Sequence, residues 1–198
     1  MKTTTVRPIG TLFVLLLATA LGGCGLQSIP QSKNQVDAAW AEVQNQYQRR
    51  ADLVPNLVEV VKGYASHEKE TLSAVIEARA KATQVTVSPE NLNPETMKQF
   101  EQAQGALSQT LGRLMVVAER YPELKANQNF RDLQVQLEGT ENRIAIARRR
   151  YIEAVQAFNN LVTVPPTSFT NSLLYHEAPK PQFTATTPGA EKAPEVKF

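Results

Sequence analysis

Residues 49–68, RRADLVPNLVEVVKGYASHE, crowd acidic, basic and histidine side chains around an apolar run that contains Pro55. A histidine beside a carboxylate could act as a general acid–base pair or contribute to a zinc site. The same charges could instead lie on a long helix that continues through the proline and pair with neighbouring helices. Which of the two applies decides whether the chain should be regarded as an enzyme.

The catalytic interpretation finds little support in the spacing of the chemically active residues. His67-Glu68 does not form an HExxH motif, because Thr71 occupies the place of the second histidine. Two histidines and one cysteine are too few for a closed zinc site of nitrogen and sulfur ligands. The sequence contains no GxSxG stretch and no glycine-rich phosphate loop. We therefore expect no catalytic residues, no metal and no cofactor.

The elements that position these residues are helices. Apolar residues recur at intervals of three and four through residues 34–162, and no segment there alternates with a period of two. The longest uninterrupted seam predicts one helix and consists of Phe130, Leu133, Leu137, Thr140, Ile144, Ala147, Tyr151, Ala154, Phe158 and Leu161. This pattern predicts an all-α fold, an elongated antiparallel bundle of three to four long helices without a sheet.

Breaks between the helices are predicted where capping residues and prolines coincide. Asn93-Pro94 starts the second helix, Pro122 interrupts the chain, and Asn127 or Asn129 caps the third helix. The first helix is expected to run continuously over residues 34–82, roughly 70 Å at 1.5 Å per residue.

Within that first helix the seam keeps its phase on both sides of Pro55, which predicts a kink there and not an end. We expect the Asp52 side chain, three residues earlier, to take up a backbone N–H group freed by the proline.

Several charged residues fall on or beside the apolar seams and are predicted to form an interhelical polar network. An unpaired buried charge is strongly unfavourable, so we expect Arg50 or Arg79 to pair with Glu141. We also expect Glu68 to pair with Arg143 or Arg148. The candidate network comprises Arg50, Asp52, His67, Glu68, Arg79, Glu141, Asn142, Arg143 and Arg148. Such pairs commonly fix helix register, although a pocket built from Arg50, His67, Glu68 and Glu141 is the alternative.

The amino terminus predicts export and lipidation. A short basic stretch with Lys2 and Arg7 precedes an apolar run over residues 9–21, which is marginal in length for a permanent membrane span. A simple transmembrane anchor with an incidental cysteine is the alternative to a lipoprotein signal peptide. The following residues, Leu21-Gly22-Gly23-Cys24, resemble the lipobox of bacterial lipoproteins, in which cleavage before the cysteine is coupled to acylation of its thiol. We expect cleavage between Gly23 and Cys24 and a membrane anchor on acylated Cys24.

Charge and proline content describe the rest of the chain. The 21 Lys and Arg and 19 Asp and Glu become 19 of each once residues 1–23, with two bases and no acid, are removed. A neutral chain argues against a nucleic-acid partner.

The predicted organisation is a cleaved signal peptide at 1–23, a lipidated spacer at 24–33, a bundle at 34–162 and a tail at 163–198. Six of the twelve prolines lie in that tail, whose apolar stretch at 168–177 is expected to dock and whose end, beyond about Pro179, is expected to be disordered or an extended linker.

Two long stretches resemble the LemA family. They are RRADLVPNLVEVVKGYASHE with the following EARA at 77–80, and ERYPELKANQNFRDLQVQLEGTENRIAIARRRYIEAVQAFN at 119–159. The resemblance covers about residues 34–174 and implies a membrane-anchored bacterial helical bundle that faces away from the cytoplasm. It implies no enzymatic activity, and some relatives act in shaping magnetosome membranes.

Together these features predict a non-catalytic envelope lipoprotein that acts as a scaffold or adaptor for another envelope protein. Gly25 is not an aspartate-type retention signal, which favours the outer membrane in a cell that has one. Two other function classes stay open: a pocket-containing enzyme or ligand binder, and a membrane-remodelling protein that acts through homo-oligomers. The latter would need a self-complementary exposed apolar stripe. An apolar face left over after bundling, around Val58, Leu92, Met115 and Val116, is the candidate for a partner surface.

Overall fold

The computed structural model describes residues 26–183, which are almost entirely helical and contain no strand. The predicted all-α class is therefore confirmed. The predicted cleavage and lipidation sites, Gly23 and Cys24, lie outside the described residues. The helices are α1 Ser28–Tyr64, α2 Lys69–Gln84, α3 Pro94–Ala118, α4 Pro122–Ala126, α5 Gln128–Thr163 and α6 Thr167–Thr170, with a short 3₁₀ turn at Pro89–Asn91 and a π-helical turn at Asn171–Tyr175.

The two longest helices, α1 and α5, run antiparallel along the whole bundle. Trp40 stacks with Tyr151 near one end, and Asn127 Nδ2 donates to the Tyr64 hydroxyl at the other. The shorter helices α2 and α3 form a second antiparallel pair, and α2 also packs on α1. At 1.5 Å per residue, the 37 residues of α1 extend about 55 Å. Among residues 26–183, no helix is both long and apolar enough to cross a membrane.

Local sequence explains where the later helices begin. The Asn93 side chain accepts hydrogen bonds from the backbone of Glu95 and Thr96, and Thr96 Oγ1 accepts one from Asn93 N, which completes a capping box before α3. Pro122 opens α4, where its missing N–H carries no penalty. Asn127 caps α5 by accepting from Phe130 N. The predicted start at Pro94 is correct, and of the two caps predicted for the next long helix, Asn127 and Asn129, the structure uses Asn127.

The expected continuous helix over residues 34–82 is wrong, because the chain reverses after Tyr64 and α2 begins at Lys69. The turn buries Ala65 completely, and Glu68 N donates to the Ala65 carbonyl. An apolar seam serves equally well for one straight helix and for two antiparallel helices that face the same core. Periodicity therefore could not distinguish the hairpin from the rod.

The first helix also begins earlier than expected, at Ser28 and not at Asn34. Ile29 and Ser32 are buried, and Ile29 belongs to the core near the start of the bundle. Residues 28–33, predicted as part of a polar spacer, are thus the first turns of α1.

The core consists of two hydrophobic clusters arranged along the bundle axis. The first surrounds Trp40 and Tyr151 and includes residues from α1, α3 and α5. The second surrounds Leu57 and Leu114 and includes residues from α1, α2, α3 and α5. Along α1 the first cluster ends at Tyr47 and the second begins at Val54, so Arg50 lies between them.

The segment after α5 folds back onto the bundle, as far as the structure describes it. Tyr151 Oη donates to the Pro181 carbonyl at 2.8 Å, and Asn159 exchanges two hydrogen bonds with the backbone of Lys180. The Phe183 ring lies 5.4 Å from the ring of Tyr151 and 6.1 Å from that of Trp40. The expected disorder beyond Pro179 is therefore wrong for residues 179–183, because an aromatic residue there reaches the core.

The helix continues through Pro55, and its structure shows how the proline is tolerated. Proline lacks the N–H that would bond the carbonyl of Ala51, four residues earlier. The Nε–H of Arg79 on α2 donates to that carbonyl at 2.8 Å instead. The expectation for Asp52 is wrong, because the proline frees an acceptor and not a donor. The Asp52 carboxylate is exposed and accepts from Gln48 Nε2.

Because the Arg79 Nε–H bonds the Ala51 carbonyl in place of the N–H that Pro55 lacks, the effects of mutating Arg79 and Pro55 should be energetically coupled. Arg79→Met should lower the free energy of unfolding by about 1–2 kcal/mol in the wild-type background, since it leaves a backbone acceptor without a partner. In a Pro55→Ala background the cost should largely disappear, because the alanine N–H bonds Ala51. Urea unfolding of the four proteins measures this double-mutant cycle. An equal cost in both backgrounds would contradict the assignment.

Candidate functional site

The residue that organises the middle of the bundle is Arg50, whose side chain is 1% exposed. Four of its five N–H groups are used. Nη1 donates to Ser108 Oγ at 2.5 Å and to Glu141 Oε1 at 3.0 Å, and Nη2 donates to the carbonyl and side-chain oxygens of Gln104 at 3.0 and 2.7 Å. The fifth N–H group of Arg50, on Nε, is buried and has no partner among the described residues. One guanidinium therefore links α1 to α3 and α5.

Other polar side chains extend this arrangement around the bundle. Gln104 Nε2 donates to the Ala82 carbonyl at the end of α2, so the same amide bridges α2 and α1. Thr140, fully buried on α5, bonds back to the Gln136 carbonyl and accepts from Arg143 Nη2. Arg143 Nε donates to Gln46 Oε1. We call the set Arg50, Gln104, Ser108, Thr140, Glu141 and Arg143 the polar layer.

The structure brings together only part of the predicted network. Arg50 lies against Glu141, one of the two pairings expected for that carboxylate, whereas Arg79 bonds the Ala51 carbonyl. The pairing of Glu68 with Arg143 or Arg148 is wrong. The chain reverses between Tyr64 and Lys69, which places Glu68 at the end of the bundle. There its carboxylate accepts from Arg120 Nη2 at 3.0 Å and from the Tyr121 hydroxyl at 3.1 Å.

The remaining predicted residues are distributed over the surface. Arg148 Nη2 contacts Glu101 Oε1 at 3.4 Å, and its guanidinium lies 4.3 Å from the centre of the Phe183 ring. Asn142 is exposed on α5, and His67 is exposed in the turn between α1 and α2. His176 follows the π-helical turn near the start of α1, at the opposite end from His67. The two histidines cannot share a site.

An open groove of about 370 Å³ lies beside the polar layer. Its lining residues are Tyr47, Arg50, Glu101, Gln104, Gly105, Ser108, Glu141, Ile144 and Arg148. Each arginine of the groove contacts a glutamate, so positive charge is already balanced and no surplus faces a negatively charged ligand. This groove is where the alternative of a binding pocket would apply.

The chemistry available in the groove is limited. Ser108 is its hydroxyl nucleophile, but it contacts a guanidinium, which has no acceptor and cannot remove the serine proton. Burial raises the pKa of the Tyr47 hydroxyl against the opposing effects of Arg148 and Arg50, which keeps the phenol neutral near pH 7. Within residues 26–183, no three His, Cys, Asp or Glu side chains are grouped so as to hold a metal ion.

Outside the groove, three side chains have pKa values that are raised by burial or by a hydrogen bond. A hydrogen bond to Glu68 is the main cause that raises the pKa of the Tyr121 hydroxyl. Burial raises the pKa of the Asp37 carboxyl, although Lys180 and Lys33 lie near enough to oppose the shift. Burial also raises the pKa of Tyr151, whose hydroxyl donates to Pro181. Of these groups, Tyr121 is hydrogen-bonded to a second titratable side chain, Glu68, but that pair lies at the end of the bundle and does not line the groove.

Sequence reasoning missed three residues that the structure places at the site: Gln104, Ser108 and Glu101, all on α3. Gln104 interrupts the apolar seam of α3 between Phe100 and Leu107, and a buried glutamine in a seam is a detectable signal of a polar layer. Ser108 and Glu101 lie off the seam and carried no such signal. Their roles depend on the long arginine side chains that reach them from α1 and α5.

The burial of Arg50 and the exposure of Glu141 predict unequal mutational effects. Arg50→Ala should lower the free energy of unfolding by about 3 kcal/mol or more, because it leaves a cavity and removes the donors that satisfy Gln104. Glu141→Gln should cost less than about 1 kcal/mol, since the glutamate side chain is 46% exposed and regains water. Exposed Arg150→Ala serves as the control. Equal losses for Arg50→Ala and Glu141→Gln in urea unfolding would show that the ion pair, and not the buried layer, carries the energy.

Comparison with known proteins identifies relatives of this chain. The sequence model described as the LemA family matches residues 39–198. The protein LemA of Metamycoplasma hominis is 25% identical over 133 residues, which are 67% of this chain and 57% of that protein.

Proteins with a different name are also similar. Magnetosome protein MamQ 2 of Paramagnetospirillum magneticum is 30% identical over 93 residues, and MamQ of Magnetospirillum gryphiswaldense is 28% identical over 93 residues. Each match covers 43% of this chain and 34% of the relative. The chain thus spans only part of the length of every relative described, at most 57%. Arg50 and Glu141, the ion pair of the polar layer, both fall within the residues that the family model matches.

Proposed function

Because the chain belongs to the LemA family, we propose that it is a non-catalytic scaffold of the bacterial envelope, anchored to the membrane through an acylated Cys24. The observation that carries the non-catalytic part is the polar layer. Its charged groups bond to one another and to helix backbone, and its serine faces an arginine in place of a base. The polar residues that suggested chemistry serve to align the helices.

The anchor is supported by the sequence before the bundle. Cys24 is the only cysteine of the chain and follows two glycines and an apolar run, the order that lipoprotein processing requires. The first helix begins four residues after it, at Ser28, which leaves almost no flexible spacer. A bundle attached in this way stands directly against the membrane surface. The absence of an aspartate at Gly25 favours the outer membrane in a diderm cell.

The adaptor role is supported by the shape and the outer surface of the bundle. A rod about 55 Å long carries its far end well away from an anchor at Cys24. That far end contains the ion pairs Arg120–Glu68 and Lys125–Glu119, so its surface is charged and hydrated, and complementary charges on a partner could orient the two proteins. Of the four candidates for an unburied apolar face, Leu92 is 6% exposed and therefore belongs to the core, whereas Val116 is 69% exposed. The expectation for Leu92 is wrong.

Membrane remodelling through homo-oligomers is the second candidate function. Val116 on α3 and Val135 on α5 are 69% and 67% exposed, and such residues could contribute to contacts between copies. This function is considered because some of the similar proteins are named as magnetosome proteins. Electron microscopy of liposomes carrying the acylated protein separates the candidates: tubulation favours remodelling, and unchanged spheres favour the scaffold.

Lipidation has a direct test in living cells. Growth with an alkyne analogue of palmitate should label the wild-type chain, and Cys24→Ala should abolish the label, because no other cysteine is available. Cys24→Ser controls for the change in side-chain size, since a hydroxyl does not replace the thiol in this processing. Label that persists in both variants would refute the anchor.

The same pair of chains tests the adaptor role. Cross-linking in intact cells should join the wild-type chain to one defined envelope protein. The Cys24→Ala chain is neither acylated nor processed as a lipoprotein, so it should not reach the same place in the envelope and should lose that product. A product of the same kind and amount with both chains would contradict a scaffold that works from a lipid anchor on Cys24.

A further inference from the structure

Charged side chains are sparse at the end of the bundle nearest Cys24. Residues 26–32 and 154–175 contain no aspartate, glutamate, lysine or arginine, although a fifth of the whole chain is charged. These two stretches form the start of α1 and the end of α5 with the turns that follow it. The opposite end, by contrast, contains Lys62, Glu68, Lys69, Glu119, Arg120 and Lys125.

Large apolar side chains are exposed in this uncharged region. Phe169, Leu173 and Leu174 are 69%, 75% and 53% exposed, and Leu26 at the start of the described chain is 48% exposed. We call these four residues the proximal apolar surface. Phe169 and Leu173 are four residues apart in a helical segment, a spacing that places two side chains on one side. Apolar groups gathered in this way mark a site of contact with a partner or a membrane.

The surface is held in place and is not a frayed terminus. Asn171, 7% exposed, donates from Nδ2 to the carbonyls of Val162 and Glu177, and its Oδ1 accepts from Glu177 N. The Tyr175 hydroxyl donates to the Leu26 carbonyl at 2.7 Å, which ties the segment to the start of the first helix. An ion pair between Lys33 and Glu177 adds a second link between the same elements. The segment thus displays its apolar side chains while its polar groups are satisfied by the bundle.

The proximal apolar surface includes Leu26, which is close in the chain to Cys24 and to the apolar run before it, and this indicates that a lipid bilayer covers the surface. Leu26 follows Cys24 by two residues, and two residues reach at most about 7 Å. Residues 9–21 before the cysteine form the apolar run, so either a lipid on Cys24 or the run itself would bring the bilayer to this end. An uncharged surface can enter the boundary between headgroups and acyl chains without the cost of dehydrating charges.

We infer that the proximal apolar surface docks into the lipid bilayer, with Phe169, Leu173 and Leu174 inserted at the boundary of headgroups and acyl chains. This inference rests on the proposed anchoring and deepens it. Docking adds a second contact between the bundle and the membrane beside the anchor. It orients the bundle so that its charged end points away from the membrane. Since the surface has no charge of its own, neutral lipids suffice and salt has little influence.

A fluorescent probe can test the inference on the acylated full chain. Acylation blocks the Cys24 thiol, so a cysteine introduced by Leu173→Cys is the one thiol open to a nitrobenzoxadiazole label. Lys125→Cys, with a side chain 59% exposed at the far end, is the matched control. Both proteins are reconstituted into phosphatidylcholine vesicles that contain a lipid with a quencher on its acyl chain, and co-flotation with the vesicles is measured separately.

The inference predicts that the vesicles quench the label at 173 by about twofold or more, blue-shift its emission, and leave the label at 125 unaffected. The quenching should persist at about 1 M salt, where charge-mediated binding is screened. Flotation without quenching at 173 overturns the docking alone, whereas failure to float overturns both the docking and the anchoring. Self-quenching at 173 without lipid quenching would assign the surface to a second copy of the chain and also overturn the inference.

Discussion

The burial of one guanidinium constrains the rest of the bundle. Arg50 lies between two hydrophobic clusters with 1% of its side chain exposed, and a buried charge is tolerated only when nearly every donor has a partner. Those partners are Gln104 and Ser108 on α3 and Glu141 on α5. A shift of either helix by one turn, about 5.4 Å, would remove them. The layer thus permits one register, whereas the apolar clusters alone would accept several.

The polar layer gives the middle of the bundle a structural role, so that the surfaces available for binding lie at its two ends. The middle is occupied by groups that satisfy one another, including Arg79, whose N–H replaces the one that Pro55 lacks. The two ends of the bundle differ: one carries many exposed charges, and the other has few charges and exposes Phe169 and Leu173. A rod with such ends suits a protein that stands on a membrane and presents its far end to something else. That division of roles is what we propose for this member of the LemA family.

The sequence predicted most of the helices because seams and caps are local signals, as at Asn93 and Asn127. It did not predict features decided by contacts between distant segments. The predicted pairing of Glu68 with Arg143 or Arg148 is wrong because the chain reverses after Tyr64, and the apolar seam gives no sign of that reversal. The docking of Phe183 was missed because a proline-rich tail gives no periodic signal, although its ring reaches Trp40 and Tyr151. Arg50 could be recognised from its place in the seam, but Ser108 could not, since a long side chain reaches it from another helix.

The claim that the polar layer fixes helix register can be measured directly by pulsed electron paramagnetic resonance. Spin labels on exposed cysteines introduced by Asn45→Cys on α1 and Gln109→Cys on α3, in a chain with Cys24→Ala, report the offset between the two helices. The account predicts one narrow distance distribution with the layer intact, and a broadened or second distribution when Arg50→Met and Gln104→Met replace it with apolar side chains. The same narrow distribution in both proteins would show that hydrophobic packing alone sets the register, and would contradict the account.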